Sequence, residues 1–277
     1  MLERIISGVV LVAFFTTIVV FNSSFPLALN IAIAIISALC VHELVKACDL
    51  VKHWALHVPS LCVAALIPFA GLFGQGTLIL YSIYSFVMFL SLIVYHKTIS
   101  FKELAIIYSM SVMIPSALLT IVQTRSLSPN HGMFYAMVAV LAAWVPDVGA
   151  YFVGTFFGRH KLCPEISPKK TVEGLIGGIV FSMAFMVLIG MFFSFIFYGG
   201  QKDINYIAMC LVGFGGAITS VIGDLSFSLI KRGCGVKDFG QIIPGHGGVL
   251  DRFDSVIFTA PYVYILISYI PMVLSGV

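Results

Sequence analysis

The sequence predicts an all-α polytopic membrane protein of about nine transmembrane helices, and three observations carry that reading. Of the 277 residues, 60% are hydrophobic and only 10% charged, too little polar surface for a soluble globule of this size. Apolar runs long enough to cross a hydrocarbon core of roughly 30 Å recur along the whole length. The basic residues collect in alternate connections, as they do when a cytoplasmic face retains them.

The spans read as Ile5–Phe21, Phe25–Val41, Val58–Leu72, Thr77–Tyr95, Leu104–Val122, Met133–Phe157, Leu175–Tyr198, Tyr206–Ile230 and Ser255–Leu274. The first follows Glu3 and Arg4 as a secretory signal would, but no small-residue cleavage site comes after it, so it stays a span. The third is short and interrupted by Pro68, Gly71 and Gly74, and reads as tilted, re-entrant or merged with its neighbour. No block is polar enough for a separate soluble domain. Residues 1–130 form N-terminal spans and 131–277 the region that carries chemistry, within one integral unit.

On one side lie Arg4, Lys46, Lys52, Lys97, Lys102, Arg159, Lys161, Lys169, Lys170, Lys231, Arg232, Lys237 and Arg252; on the other lie only Arg125 and Lys202. This asymmetry implies a cytoplasmic N-terminus and a C-terminus on the opposite side. It also puts the two longest polar connections, 158–174 and 231–254, on the cytoplasmic face. The six cysteines, Cys40, Cys48, Cys62, Cys163, Cys210 and Cys234, sit singly and read as reduced structural thiols. No fixed-period repeat or low-complexity tract is visible, so neither a solenoid nor an inverted-repeat transporter is suggested.

The densest polar stretch, Ser228 to Asp254, reads SLIKRGCGVKDFGQIIPGHGGVLDRFD. Gly245, Gly247 and Gly248 flank His246 and free the backbone to bring N–H groups close to an anion. Lys231, Arg232, Lys237 and Arg252 add charge suited to phosphate. Asp251 and Asp254, three apart, point to one face of a helix and suit a hard cation such as magnesium. Upstream, Gly216, Ser220, Asp224 and Ser228 recur every four residues, a small-residue stripe that allows close helix approach. A carboxylate inside a span costs about 2.5 to 3.5 kcal/mol, which marks Asp224, and likewise Asp147 in AWVPDVGAYFVG, as functional candidates. Lys169 and Lys170 in ISPKKTVEG precede a helix start that Thr171 can cap.

These residues resemble the phosphatidate cytidylyltransferase (CDP-diacylglycerol synthase) family. Its serine, Lys-Arg pair, Lys-Asp, His-Gly-Gly and Asp-Arg-x-Asp appear here in order as Ser228, Lys231, Arg232, Lys237, Asp238, His246, Gly247, Gly248, Asp251, Arg252 and Asp254. Asp147, Gly149, Ala150 and Tyr151, with Ser167–Gly174, also look like that family, although Val172 stands where an aromatic is usual. The likeness covers roughly residues 140 to 260. It implies transfer of CMP from CTP to phosphatidic acid, releasing pyrophosphate with a divalent cation, Mg2+; a second, monovalent cation stays open. Asp224 and Asp251 would bind metal, with Asp147 and Asp254 behind them. Lys169, Lys170, Lys231, Arg232 and Lys237 would hold phosphates, Ser228 would help bind substrate, and Arg252 with the His246–Gly248 turn would steady the leaving pyrophosphate. The partners expected are CTP, phosphatidic acid and the lipid bilayer, without nucleic acid, and a homodimer stays open. A bacterial plasma (inner) membrane is the expected location.

Plainer readings exist. A basic loop can serve topology alone, and a lone intramembrane carboxylate is often a helix partner or proton relay. His42, Glu43 and Lys46 read first as interfacial anchoring, with an approach of Glu43 to the site left open, and no second histidine stands at position 46 to make a zinc-protease motif. A secondary transporter using Asp147 and Asp224 is disfavoured by the collection of polar residues on one face. Within enzymes, the alternatives are a polyprenol or phytol kinase, or a CDP-archaeol synthase.

Overall fold

The computed structural model describes Thr17 and residues 25–200, 204–243, 245 and 247–274. The first expected span therefore lies outside the described residues apart from Thr17, and so do Lys202 and His246. In chain order the described helices are α1 (Ala28–Ala47), α2 (Trp54–Leu66, continued by a 3-10 turn Ile67–Leu72), α3 (Gly76–Val94), α4 (Phe101–Ser126), α5 (Gly132–Phe157), α6 (Val172–Tyr198), α7 (Tyr206–Gly233) and α8 (Leu250–Tyr269). Between α5 and α6 lies a two-stranded hairpin, β1 (Lys161–Cys163) and β2 (Ser167–Thr171).

Seven helices among the described residues are long and apolar enough to cross a membrane, against the about nine expected. The protein is a multi-pass helical membrane protein. The third expected span runs through α2 and its 3-10 turn, 19 residues in all. It ends where Asn30 of α1 donates to the Pro68 carbonyl at 2.7 Å. The last expected span corresponds to α8, which is not among the seven because it begins with Asp251, Arg252 and Asp254. Exposure separates the roles of the helices. α1 has 67% of its most apolar window buried, whereas α3 has 11% and turns Leu78, Ile79, Ile83, Phe86 and Ile93 outward. Such an outward face is stable in hydrocarbon and not in water.

The chain divides into two units, each made of two stretches: Met1–Val122 with Lys231–Phe253, and Gln123–Ile230 with Asp254–Val277. The first is centred on buried Cys40, Leu44, Leu56, Ile67, Met88, Leu104 and Ile114. The second is centred on Phe134, Val138, Met186, Met209, Val212 and Val263. In that unit the small-residue stripe of α7 behaves as expected. A Cβ on Gly216 would lie 3.0 Å from the Ala142 carbonyl oxygen, and Ser220 Oγ donates to the Ala143 carbonyl at 2.8 Å. Pro146, inside α5, has no N–H to give Ala142, so α7 approaches where the α5 ladder is interrupted.

The hairpin departs from the all-α expectation. β1 and β2 pair antiparallel, with Lys161 opposite Thr171 and Cys163 opposite Ser167. Val172 N–H then donates to the His160 carbonyl at 2.9 Å, closing the entry to α6. Pro168 precedes two lysines in a run with no apolar period, so hydropathy reads only a polar connection there.

Candidate active site

In the second unit, two of the expected lysines, Lys169 and Lys170, and one expected aspartate, Asp147, line a cavity of about 470 Å³. α5 contributes Asp147, Ala150, Tyr151, Gly154 and Gly158, spaced three and four apart along one face. β2 contributes Lys169 and Lys170, and the start of α6 contributes Gly174. Thr171 caps α6 as its sequence position suggests, its Oγ accepting from Gly174 N–H at 3.1 Å. Glycine permits the closeness: a Cβ on Gly174 would fall 2.9 Å from the Ala150 carbonyl oxygen. Lys170 forms an ion pair with Asp224 of α7, both side chains about a quarter exposed at 23% and 28%. Glu173 ties the hairpin from below, accepting from the backbone N–H of Arg159 and His160 and pairing with His160 Nδ1 at 2.6 Å. Also in this unit, Ser228 is half-buried on α7. Asp254 is buried, its Oδ1 accepting from Ser255 N–H at 2.7 Å.

In the first unit, Asp251 organises the glycine-rich connection. Its Oδ1 accepts from Lys231 Nζ at 2.8 Å, and its Oδ2 accepts from Phe239 N–H at 2.9 Å and Gly248 N–H at 3.0 Å. The pair is buried, with side chains 12% and 4% exposed, and Lys231 Nζ also lies 5.4 Å from the centre of the Phe239 ring. Gly245 and Gly247 adopt positive φ of 76° and 85°, which glycine alone reaches without penalty, and the Gly247 carbonyl accepts from Ile243 N–H. Arg232, Lys237, Asp238 and Arg252 are exposed around this framework.

In the same unit one sequence reading needs correction and one contact is not visible in the sequence. Glu43 is not an interfacial anchor: it is 1% exposed and accepts from Val249 N–H at 3.0 Å and Leu250 N–H at 2.8 Å. An acid at the end of an apolar span was the available signal, but its partners lie more than 200 residues away, as their separation of 206 shows. Cys48 and Cys234 are free thiols that come together in space. Their sulfurs lie 2.6 Å apart, a proximity that spacing along the chain cannot reveal. Burial, and then the neighbouring Cys234 thiol, push Cys48 up to about 12.

Residues 2–270 match the sequence profile of the Cytidylyltransferase family. The chain belongs to that family. Three relatives, each named phosphatidate cytidylyltransferase, are similar to it. The protein of Bacillus subtilis is 39% identical over 172 residues, 62% of this chain and 61% of the relative. That of Staphylococcus haemolyticus is 43% identical over 138 residues, half of each chain at 50%. That of Haemophilus influenzae is 40% identical over 137 residues, 48% of this chain and 46% of the relative. The chain thus spans between 46% and 61% of the length of these relatives.

For a member of this family, the arrangement offers two cation-carboxylate pairs: Lys170 of the hairpin with Asp224 of α7, and Lys231 with Asp251 at the two ends of the glycine-rich connection. Such groups suit phosphate binding and charge neutralisation. Carboxylate oxygens are the donor type that magnesium takes. Oδ2 of Asp251 accepts from two N–H groups and Oδ1 accepts from Lys231 Nζ, so this carboxylate is an oxygen donor set among N–H groups and one ammonium. Among the described residues no three His, Cys, Asp or Glu side chains gather to hold a metal by themselves. Magnesium commonly takes one or two carboxylates, with substrate phosphates and water completing its shell.

Proposed function

We propose that this protein transfers CMP from CTP to phosphatidic acid, giving CDP-diacylglycerol and pyrophosphate, at the cytoplasmic face of a bacterial plasma membrane. The observation that carries the proposal is the two lysine-aspartate pairs, Lys170 with Asp224 and Lys231 with Asp251, in a chain of the cytidylyltransferase family. The names of its relatives point to the same substrate. The segregation of lysine and arginine supports a cytoplasmic N-terminus, a C-terminus on the opposite side, and both connections facing the cytoplasm.

In the proposed reaction an oxygen of the lipid phosphate attacks the α-phosphorus of CTP, a new P–O bond forms, and the bond to the β-phosphate breaks with pyrophosphate leaving. The attacking phosphate is already ionised at neutral pH, so no base need activate it. Catalysis then consists of alignment and charge neutralisation. Lys169, Lys170, Lys231, Arg232 and Lys237 would hold phosphate oxygens, and Ser228 would help bind substrate. Arg252 with the His246–Gly248 turn would receive the leaving pyrophosphate. Asp224, with Asp147 and Asp254 as further candidates in its unit, and Asp251 in the other unit are the carboxylates proposed for Mg2+, which when bound neutralises phosphate charge.

Purified protein supplied with CTP, phosphatidic acid and magnesium should release pyrophosphate, and omission of either substrate should stop release. Asp224→Ala and Asp251→Ala should each abolish turnover while the protein stays in the membrane. Full turnover in either variant would refute the metal assignment. CDP in place of pyrophosphate would indicate a kinase and overturn the proposal, and so would a complete lack of nucleotide turnover.

A further inference from the structure

Glu43 belongs to α1, in the half of the chain that reads only as hydrophobic spans, yet its carboxylate is buried against the glycine-rich connection. Three successive N–H groups at the start of α8 are taken by two acids: Gly248 by Asp251, and Val249 and Leu250 by Glu43. A helix leaves its first N–H groups unsatisfied, and a carboxylate there also meets the favourable end of the helix dipole. The connection passes directly over Glu43. A Cβ on Gly240 or Gly248 would lie 2.3 Å or 2.5 Å from its oxygens, so a side chain at either position would push the Glu43 carboxylate from its place. A second contact ties the same two elements, because Cys48, just past the end of α1, meets Cys234 just past the end of α7.

We infer that Glu43 is a positioning residue, whose carboxylate fixes the Gly247–Arg252 segment in the shape that receives the nucleotide's phosphates. The inference rests on the proposed cytidylyl transfer. Glu43 touches no reacting atom; it acts through the N–H groups of Val249 and Leu250.

The test uses full-length wild type, Glu43→Gln and Glu43→Ala, each confirmed as monodisperse after extraction. Glutamine keeps the shape but turns an amide N–H2 toward one of the two backbone donors. It should lower kcat/KM for CTP roughly tenfold, the size expected for one charged hydrogen bond. Alanine should lower it by roughly a hundredfold, as both bonds go. KM for phosphatidic acid should stay within about twofold, since only nucleotide positioning is disturbed. An independent readout is the rate of Cys48–Cys234 disulfide formation with oxidised glutathione, which takes up the two electrons, quantified by peptide mass. That rate should fall in both variants as the connection leaves α1. If Glu43→Gln keeps wild-type kcat/KM for CTP and the wild-type crosslinking rate, the inference is overturned, and a loss of phosphatidic acid affinity alone overturns it too. If wild type itself shows no turnover, the proposed reaction fails, and an unchanged crosslinking rate in the variants then also overturns the holding role of Glu43.

Discussion

The two basic connections solve one problem in different ways. The hairpin between α5 and α6 satisfies much of its backbone through its own strand pairing, and Thr171 and Glu173, both local, finish its ends. Among the described residues, the glycine-rich connection after α7 has an isolated bridge between Ile243 and Gly247 and a few turn hydrogen bonds, and it is tied further by the carboxylates of Asp251 and Glu43. Glycine-rich backbone can come close to an anion only if it lacks side chains and regular pairing, and its conformational freedom must then be removed by other groups. Buried acids do so here, which is why this connection should be far more sensitive to losing one carboxylate than the hairpin is to losing one lysine.

Asp251→Ala should show the largest effect. It leaves the buried Lys231 ammonium and the Phe239 and Gly248 N–H groups without their acceptor, at a cost of about 3 to 5 kcal/mol. Chemical denaturation in mild detergent should report that loss alongside the loss of turnover. Lys170→Met, at the hairpin, should reduce turnover at least about tenfold. Its stability cost should stay under about 1 kcal/mol, because the Asp224 it abandons is 28% exposed and solvated. Equal destabilisation by the two variants would break the contrast. Thr171→Ala should cost about 1 kcal/mol through loss of the α6 cap, read from the same denaturation curves. The smallest effect concerns the thiols. Cys48 is held protonated at neutral pH, so its disulfide with Cys234 should form slowly at pH 7 and faster as pH rises, since thiolate is the attacking form.

What the sequence made legible follows from range. Helices long enough to span, the Thr171 cap and the Gly216–Ser220 stripe depend on residues within a few positions of each other, and periodicity exposes them. Asp147 is legible as a candidate because charge within apolar sequence is costly and stands out, and the lysines of β2 because they precede a capped helix start. Glu43 was visible but misread: interfacial acids are common at span ends, and only tertiary contact with residues 249 and 250 distinguishes a cap from an anchor. The hairpin escaped because Pro168 and two lysines give it no alternating pattern, and its pairing is backbone to backbone. The Cys48–Cys234 contact joins residues 186 apart and leaves no local trace.

The most direct test of the proposed chemistry follows the label from CTP into lipid. With purified protein, magnesium and phosphatidic acid, radiolabel at the α-phosphate should appear in the lipid product, while label at the γ-phosphate should appear only in pyrophosphate. Lipid carrying the γ-label, or no labelled lipid from either nucleotide, would contradict the account.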